Sequence, residues 1–227
     1  MGYRITRRLV CLGFGLFMSG AVFAMPAQAS ESDPQKFLST LAREATTLLS
    51  DDGMDQAERA AAFRGLLRRG FDVAAVSRFV LGRYWRRASE PERIEFSQLF
   101  EDYIVAIYGR RLGSKLDNAL KITGHRADGP KGAIVHSQFG PKNGLKNGTI
   151  IKLDWRLRRR ATGWRVVNIM VEGVSMALAQ RSEFATVIRS TGGQVAGLLV
   201  KLRKKTQTLA LYDRESNPTK AKISTQY

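Results

Sequence analysis

Between residues 33 and 49, Phe37, Leu38, Leu41, Ala42, Ala45, Leu48 and Leu49 recur at helical spacing, and Pro34 suits a first helical turn. Asp51-Asp52-Gly53 breaks that pattern. Asp55 opens a second helix through Arg69, with Ala60, Ala61, Phe63, Leu66 and Leu67 as its apolar members, and Gly70 ends it. Residues 71–81 read as a short third helix carrying Phe71, Val73, Val76, Phe79 and Val80. Ser89-Glu90-Pro91-Glu92 is then a helix start, with Ser89 as N-cap and Glu92 at the capping-box position. That helix should reach about Leu112. Its stripe is wide and aromatic: Ile94, Phe96, Leu99, Phe100, Tyr103, Ile104, Ile107 and Tyr108.

After Gly113 the period changes to two. Residues 120–126, 133–139, 149–158 and 163–171 read as strands, separated by turn-rich segments. In the third, Ile151, Leu153, Trp155 and Leu157 face one way, and Ile150, Lys152, Asp154, Arg156 and Arg158 the other. Such alternation belongs to an antiparallel sheet with one covered and one wet face. Helical periodicity returns over 175–190, with Ser175 as N-cap, and again over 194–204 after Gly192-Gly193. Residues 206–227 are polar apart from one apolar patch and read as a flexible tail. The order predicts an α+β domain: a curved four-stranded antiparallel sheet covered on one side by helices. Whether the long aromatic helix fills the space over the sheet or leaves a cavity is open at this level.

The first 29 residues change the setting. Arg4, Arg7 and Arg8 precede an apolar run over 9–23, and Ala27-Gln28-Ala29 supplies the small residues of a cleavage site. The run falls short of the ~20 residues that span a bilayer. Residues 1–29 are therefore expected to be a cleavable signal peptide rather than an anchor. Cys11 is preceded by Val10 inside the apolar core, which argues against a lipoprotein. Cleavage would remove this single cysteine, so the mature chain needs neither a disulfide nor a thiol nucleophile. The formal charge of +17 would lose only the three arginines of the segment. In an exported protein such a surplus suits anionic lipid or acidic partners better than nucleic acid, and no nucleic-acid motif accompanies it.

Catalytic constellations are thin. His125 and His136 are the only histidines, and neither sits at metal-ligand spacing. Glu172-Gly173-Val174-Ser175-Met176 is not a nucleophile elbow, and Gly192-Gly193 lacks the Lys-Ser/Thr sequel of a phosphate loop. Asp102, Asp154 and Glu172 could supply an acid and a base, but nothing in the sequence brings two of them together. A small pocket enzyme of cystatin-like fold remains a minor alternative.

Phe71-Asp72 followed by Arg78-Phe79-Val80-Leu81-Gly82-Arg83-Tyr84-Trp85-Arg86-Arg87-Ala88 resembles the motif of the MlaC family, the toluene-tolerance-type periplasmic lipid carriers. Glu92-Arg93-Ile94-Glu95-Phe96 through Tyr108-Gly109 is similar to that family's long helix. Trp164 through Glu172-Gly173-Val174-Ser175-Met176, then Arg181, Phe184 and Gly192-Gly193, is similar to its last strand, turn and helix. The similarity covers about residues 33–205. Asn168 stands where the family usually carries Asp, which keeps an acceptor oxygen and loses a charge.

With residues 1–29 read as a signal peptide and 206–227 as a tail, the resemblance implies a lipid-binding domain over 30–205. It implies a monomeric periplasmic carrier, not an enzyme, with no cofactor and no metal. Its cargo would be a phospholipid held by its acyl chains in an apolar cavity between sheet and helices. Its implied partners are an MCE-domain (MlaD-like) inner-membrane ABC-transporter complex and an outer-membrane lipoprotein (MlaA-like) complex. A hopanoid or other polycyclic lipid is the alternative cargo. The physics agrees: ~30 methylenes at ~0.8 kcal/mol each make about 24 kcal/mol of exposure for a bare lipid in water. The expected lipid-contacting residues are those where the helix stripe meets the inner sheet face: Phe100, Tyr103, Ile104, Ile107, Tyr108, Ile151, Leu153, Ile169 and Val171. Arg83, Arg86, Arg110 and Arg111 are candidates for headgroup contact or docking, whereas Leu81, Tyr84 and Trp85 are candidates for a structural role in their motif.

Overall fold

The computed structural model describes residues 33–49, 51, 53–111, 118–141 and 150–215, and the expected signal peptide lies outside them. The chain runs α1 (Pro34–Leu49), α2 (Gln56–Gly70), α3 (Val73–Leu81), a 3-10 turn (Gly82–Arg86) and α4 (Glu90–Arg111). Four strands follow, β1 (Asn118–Ala127), β2 (Gly132–Pro141), β3 (Ile151–Arg160) and β4 (Gly163–Val171). A two-residue β5 (Val174–Ser175) leads into α5 (Met176–Ser190) and α6 (Val195–Glu215). The architecture is the expected α+β, with the sheet an open antiparallel meander in the order β1-β2-β3-β4-β5.

Local chemistry sets the boundaries. Asp55 caps α2 through a full capping box with Glu58, and Ser89 and Glu92 form the reciprocal pair that opens α4. Asp72 caps α3 by accepting from the Ala75 amide at 2.9 Å, so that helix starts two residues later than its apolar pattern suggests. Asp72 also accepts from Arg160 Nε at 2.7 Å, which joins the cap to the end of β3.

Two differences from the sequence reading stand out. The fifth strand comes from a tight reversal: Glu172 (φ 48°) and Gly173 (φ 80°) both take left-handed conformations, the geometry of a two-residue primed hairpin turn between Val171 and Val174. Lys152 holds Glu172 in place, its amide donating to the carboxylate at 2.6 Å while its carbonyl accepts the Glu172 amide. The last helix continues past Lys204 to Glu215, so the first ten residues of the stretch read as a tail are helical.

Packing divides into two apolar cores. α1 lies against β1 and β2, while α2, α3 and α5 lie against β4. α4 packs on α2, α3 and α6. The helical core contains Val80, Leu81, Tyr84, Phe96, Phe100, Phe184, Ile188, Leu198, Leu199 and Leu202. The sheet-side core contains Leu38, Leu41, Phe63, Leu66, Leu67, Val105, Ala133, Val135, Leu157, Trp164 and Val166. α4 belongs to both, through Phe96 and Phe100 on one side and Val105 on the other, and Ile104 packs against each. Arg64 and Arg68 of α2 grip the nearly buried Glu101 at 2.8 and 2.9 Å, and Arg64 also holds Asp102 at 2.8 Å. These ion pairs fix the spacing of α2 and α4 over the sheet.

Candidate functional site

The inner face of the sheet is apolar on β3 and β4, carries Ser137 on β2 and His125 on β1, and is unevenly covered. Cross-strand register aligns Ala133 with Leu157 and Leu157 with Val166, and all three are sealed beneath the helices. Farther along, Val135–Trp155–Ile169, Ser137–Leu153–Val171 and Phe139–Ile151 form successive rows of the same face. Trp155, Ile169, Leu153, Val171, Phe139 and Ile151 are all only half-buried. A bulge at Val167, opposite the Arg156–Leu157 step, keeps this face continuous: Val166 and Ile169 are three residues apart yet point to the same side. The matching part of α4 is equally half-open, with Ile104 and Ile107 half-buried and Tyr108 exposed.

Polar groups within this strip are bonded inward. Trp155 donates its indole N–H to Ser137 Oγ at 2.9 Å, and that hydroxyl donates to the Leu153 carbonyl at 3.1 Å. Ser137 is 3% exposed. The tryptophan thus presents apolar ring to the strip with its only donor satisfied. The result is an apolar surface without free hydrogen-bonding side chains, half-covered by its own protein. It can take hydrocarbon.

Of the sequence-predicted residues, Ile151, Leu153, Ile169 and Val171 share the strip, Ile104 packs against the same sheet-side core as Ile169, and Ile107 follows it half-buried about one turn along α4. Phe100 and Tyr103 do not. Phe100 is 4% exposed in the helical core, 6.0 Å from the Phe96 ring and 6.2 Å from that of Phe184, and Tyr103 packs edge-on to Phe184 at 6.1 Å. The stripe of α4 is so wide that its two sides serve different cores, and these two aromatics lie on the side turned to α5 and α6. Burial among these rings pushes the Tyr103 phenol above its usual pKa, with Glu183 adding to the effect. Ser137, Leu120, Ile122 and Phe139, which the sequence reading passed over, lie on the same sheet face. The bulge at Thr123 hid Leu120 and Ile122, because counting back from the β1–β2 turn would put Lys121 and Thr123 on this face instead.

The candidate cations separate as well. Arg83 lines a cleft beside α5 that shares no residue with the strip. Arg86 is exposed at the end of the 3-10 turn. The side chains of Arg110 and Arg111 lie outside what is described, although both residues fall in the last turn of α4. The Leu81-Gly82-Arg83-Tyr84-Trp85 motif has a structural cause. Leu81 and Tyr84 are buried, Gly82 turns the chain at φ 59°, and the Trp85 carbonyl accepts from Arg93 Nε at 2.8 Å.

The catalytic candidates are scattered. His136 Nδ1 lies 2.7 Å from Asp154 on the wet face of the sheet. A bulge between Ile122 and Gly124 turns His125 instead toward α1, where Gln35 Nε2 lies 2.7 Å from its Nδ1. Asp102 is held by Arg64, and Glu172 by the turn it builds. No cluster of three metal-ligating side chains occurs among the described residues, and no helix there is long and apolar enough to cross a membrane.

The family model described as MlaC protein matches residues 39–204, most of the chain. The chain belongs to the MlaC family. Among curated relatives, the toluene tolerance protein ttg2D of Pseudomonas putida is 23% identical over 125 residues, covering 55% of this chain and 56% of that protein. The match thus spans little more than half the length of that relative. Among solved structures, a phospholipid-binding protein from Ralstonia solanacearum, in complex with a phospholipid, superposes with a TM-score of 0.69 at 22% identity. It covers 79% of this chain and 99% of its own. At that identity the likeness establishes a shared fold, that of an MlaC domain.

Asn168 acts locally, at the junction of β4 with α5. Asn168 Oδ1 accepts from Ser175 Oγ at 3.1 Å and from the Ala177 amide at 3.2 Å, while Ser175 caps α5 by accepting from the Leu178 amide. Asn168 therefore does with a neutral oxygen what a carboxylate would do with charge at a helix N-terminus.

Proposed function

We propose that this MlaC-family protein is a periplasmic lipid carrier, holding the acyl chains of a phospholipid along the half-covered strip between β2–β4 and the C-terminal half of α4. The observation that carries this reading is the gradient across one sheet face, sealed at Val135, Leu157 and Val166 and half-open at Ile151, Leu153, Ile169 and Val171. A water-facing patch of this kind is costly unless something apolar occupies it. Each methylene brought onto it from water gains about 0.8 kcal/mol, so two chains outweigh the entropy of ordering them. A solved relative in fold holds a phospholipid, which supports the choice of cargo. The carrier moves that lipid between an outer-membrane MlaA-like complex and an inner-membrane MlaD-like transporter complex, with the chain exported by the segment 1–29. It performs no chemistry on its cargo.

Native mass spectrometry of the protein purified from cells, followed by lipid extraction, tests the reading. Co-purifying phospholipid is the expected result, and a hopanoid in the extract would reassign the cargo within the same fold. Lipid-free protein that cannot be loaded from phospholipid vesicles would overturn it.

A further inference from the structure

On the other side of the molecule, α5 presents Leu178, Arg181, Ser182, Ala185, Thr186 and Arg189 on one face, the opposite face being buried through Ala177, Phe184 and Ile188. Small residues between the two arginines leave a floor rather than a ridge. The 3-10 turn forms the facing wall with Arg83 and Tyr84, and the cleft between them encloses about 320 Å³. Arg181 lies against the bare α-carbon of Gly82, where a Cβ would come within 2.6 Å of its Nε, and its guanidinium stacks over Phe79 at 5.4 Å.

Three guanidinium groups thus share one cleft. None of Arg83, Arg181 and Arg189 pairs with a carboxylate among the described residues. Glu183, two positions after Arg181, accepts from Gln180 at 3.0 Å. Thr186 Oγ1 accepts from Arg189 Nη2 at 2.9 Å and holds that side chain in place. At the buried end, Arg83 Nη2 donates to Tyr84 Oη at 3.0 Å, which leaves the phenol proton free to donate. Arg83 and Arg189 together hold that phenol below its usual pKa, a sign of the positive field there.

Clustered, uncompensated guanidinium groups with a converging hydroxyl donor are complementary to a tetrahedral oxyanion, which offers oxygens in several directions at once. We propose that the cleft between the Gly82–Arg86 turn and α5 is a phosphate-binding site, separate from the apolar strip, in which Arg83, Arg181, Arg189 and Tyr84 hold a phosphate ester or free phosphate. The exposed Leu178 and Phe79 at its rim suit a phosphate that arrives on a lipid headgroup. The site does not depend on the carrier reading.

The test measures binding of inorganic phosphate by calorimetry, and of phosphatidylcholine vesicles with and without phosphatidylglycerol by co-sedimentation. The expected result is binding to phosphate or to the anionic vesicles that falls about tenfold in the Arg181→Gln/Arg189→Gln variant, the loss expected for removing charged hydrogen bonds. The Lys204→Gln/Lys205→Gln variant, which removes the same charge from exposed positions on α6, should bind as the parent does. Phosphate binding assigns a soluble phosphate source, and vesicle binding alone assigns a headgroup. Binding to neither probe, or an equal loss in the two double variants, would overturn the site. Arg83→Gln, on the exposed turn, gives an independent reading should the α5 variant fail to fold. Lipid occupancy by native mass spectrometry in the same samples should not change, so failure of this site and failure of the carrier reading are separable.

Discussion

Phe96 and Leu153 are both apolar residues at regular spacing, each on the inner side of its element, yet they live in different surroundings. Phe96 is fully buried, with Phe184 edge-on at 5.8 Å and three helices closing around it. Leu153 sits between Ser137 and Val171 on a sheet face that the helices only half cover. The difference teaches that hydrophobicity does not separate core from site in this domain; coverage does. α4 makes the contrast sharp because it serves both regions from two sides of one wide stripe.

The largest effect expected from breaking this contrast is on the helical side. Phe96→Ala should cost about 3–5 kcal/mol of unfolding free energy in a denaturant titration, the range for emptying a packed aromatic site. Leu153→Ala, removing fewer atoms from a face already half in water, should cost about 1 kcal/mol. Equal losses at the two positions would mean that the sheet face is sealed too.

A smaller effect tests what holds the sheet side in shape. Asp128 closes the β1–β2 turn onto β3 by accepting from Arg156 Nε at 2.7 Å and Arg158 Nη1 at 2.6 Å, and those hydrogen bonds pull its pKa down to about 2. Its folded-state pKa lies below the unfolded value of 3.8, so its stabilisation is present above pH 3.8 and is lost as pH falls toward 2. Asp128→Asn should therefore lower stability by about 1 kcal/mol at neutral pH, a figure reduced for the solvent exposure of the two arginines. The gap between parent and variant should close at the acid end of that window.

The smallest effect lies at the seam between the regions, where β4 hands over to α5. Asn168→Asp would put a charge beside the N-terminus of α5 while keeping both acceptor contacts, and should raise stability by about 0.5 kcal/mol at neutral pH. Thermal unfolding at matched ionic strength checks the sign.

Much of this was legible in the sequence because the signals were local. Ser89 announced its helix through a capping box and Asp55 opened another, and the alternation of Ile151, Leu153, Trp155 and Leu157 gave the inner face of β3. The Glu172-Gly173 turn was visible as a motif, but the strand beyond it is two residues long and carries no period of its own. The extension of α6 to Glu215 carries its apolar residues as one contiguous patch, Leu209 to Tyr212, which shows no helical period. What could not be read was the division of α4. Phe100, Tyr103, Ile104 and Ile107 form one stripe in the sequence, and only the placement of α5 and α6 decides that the first two face Phe184. The arginine cleft was equally hidden, since Arg83 and Arg189 lie far apart in the chain and meet only at Tyr84.

The central claim is that lipid chains occupy the half-covered strip, and filling that strip tests it most directly. Val171→Trp and Ile107→Trp should each keep the cooperative unfolding of the parent while the fraction of protein ions carrying co-purified lipid in native mass spectra falls sharply. Parent-level lipid occupancy in both folded variants would contradict the account and move the cargo elsewhere in the molecule.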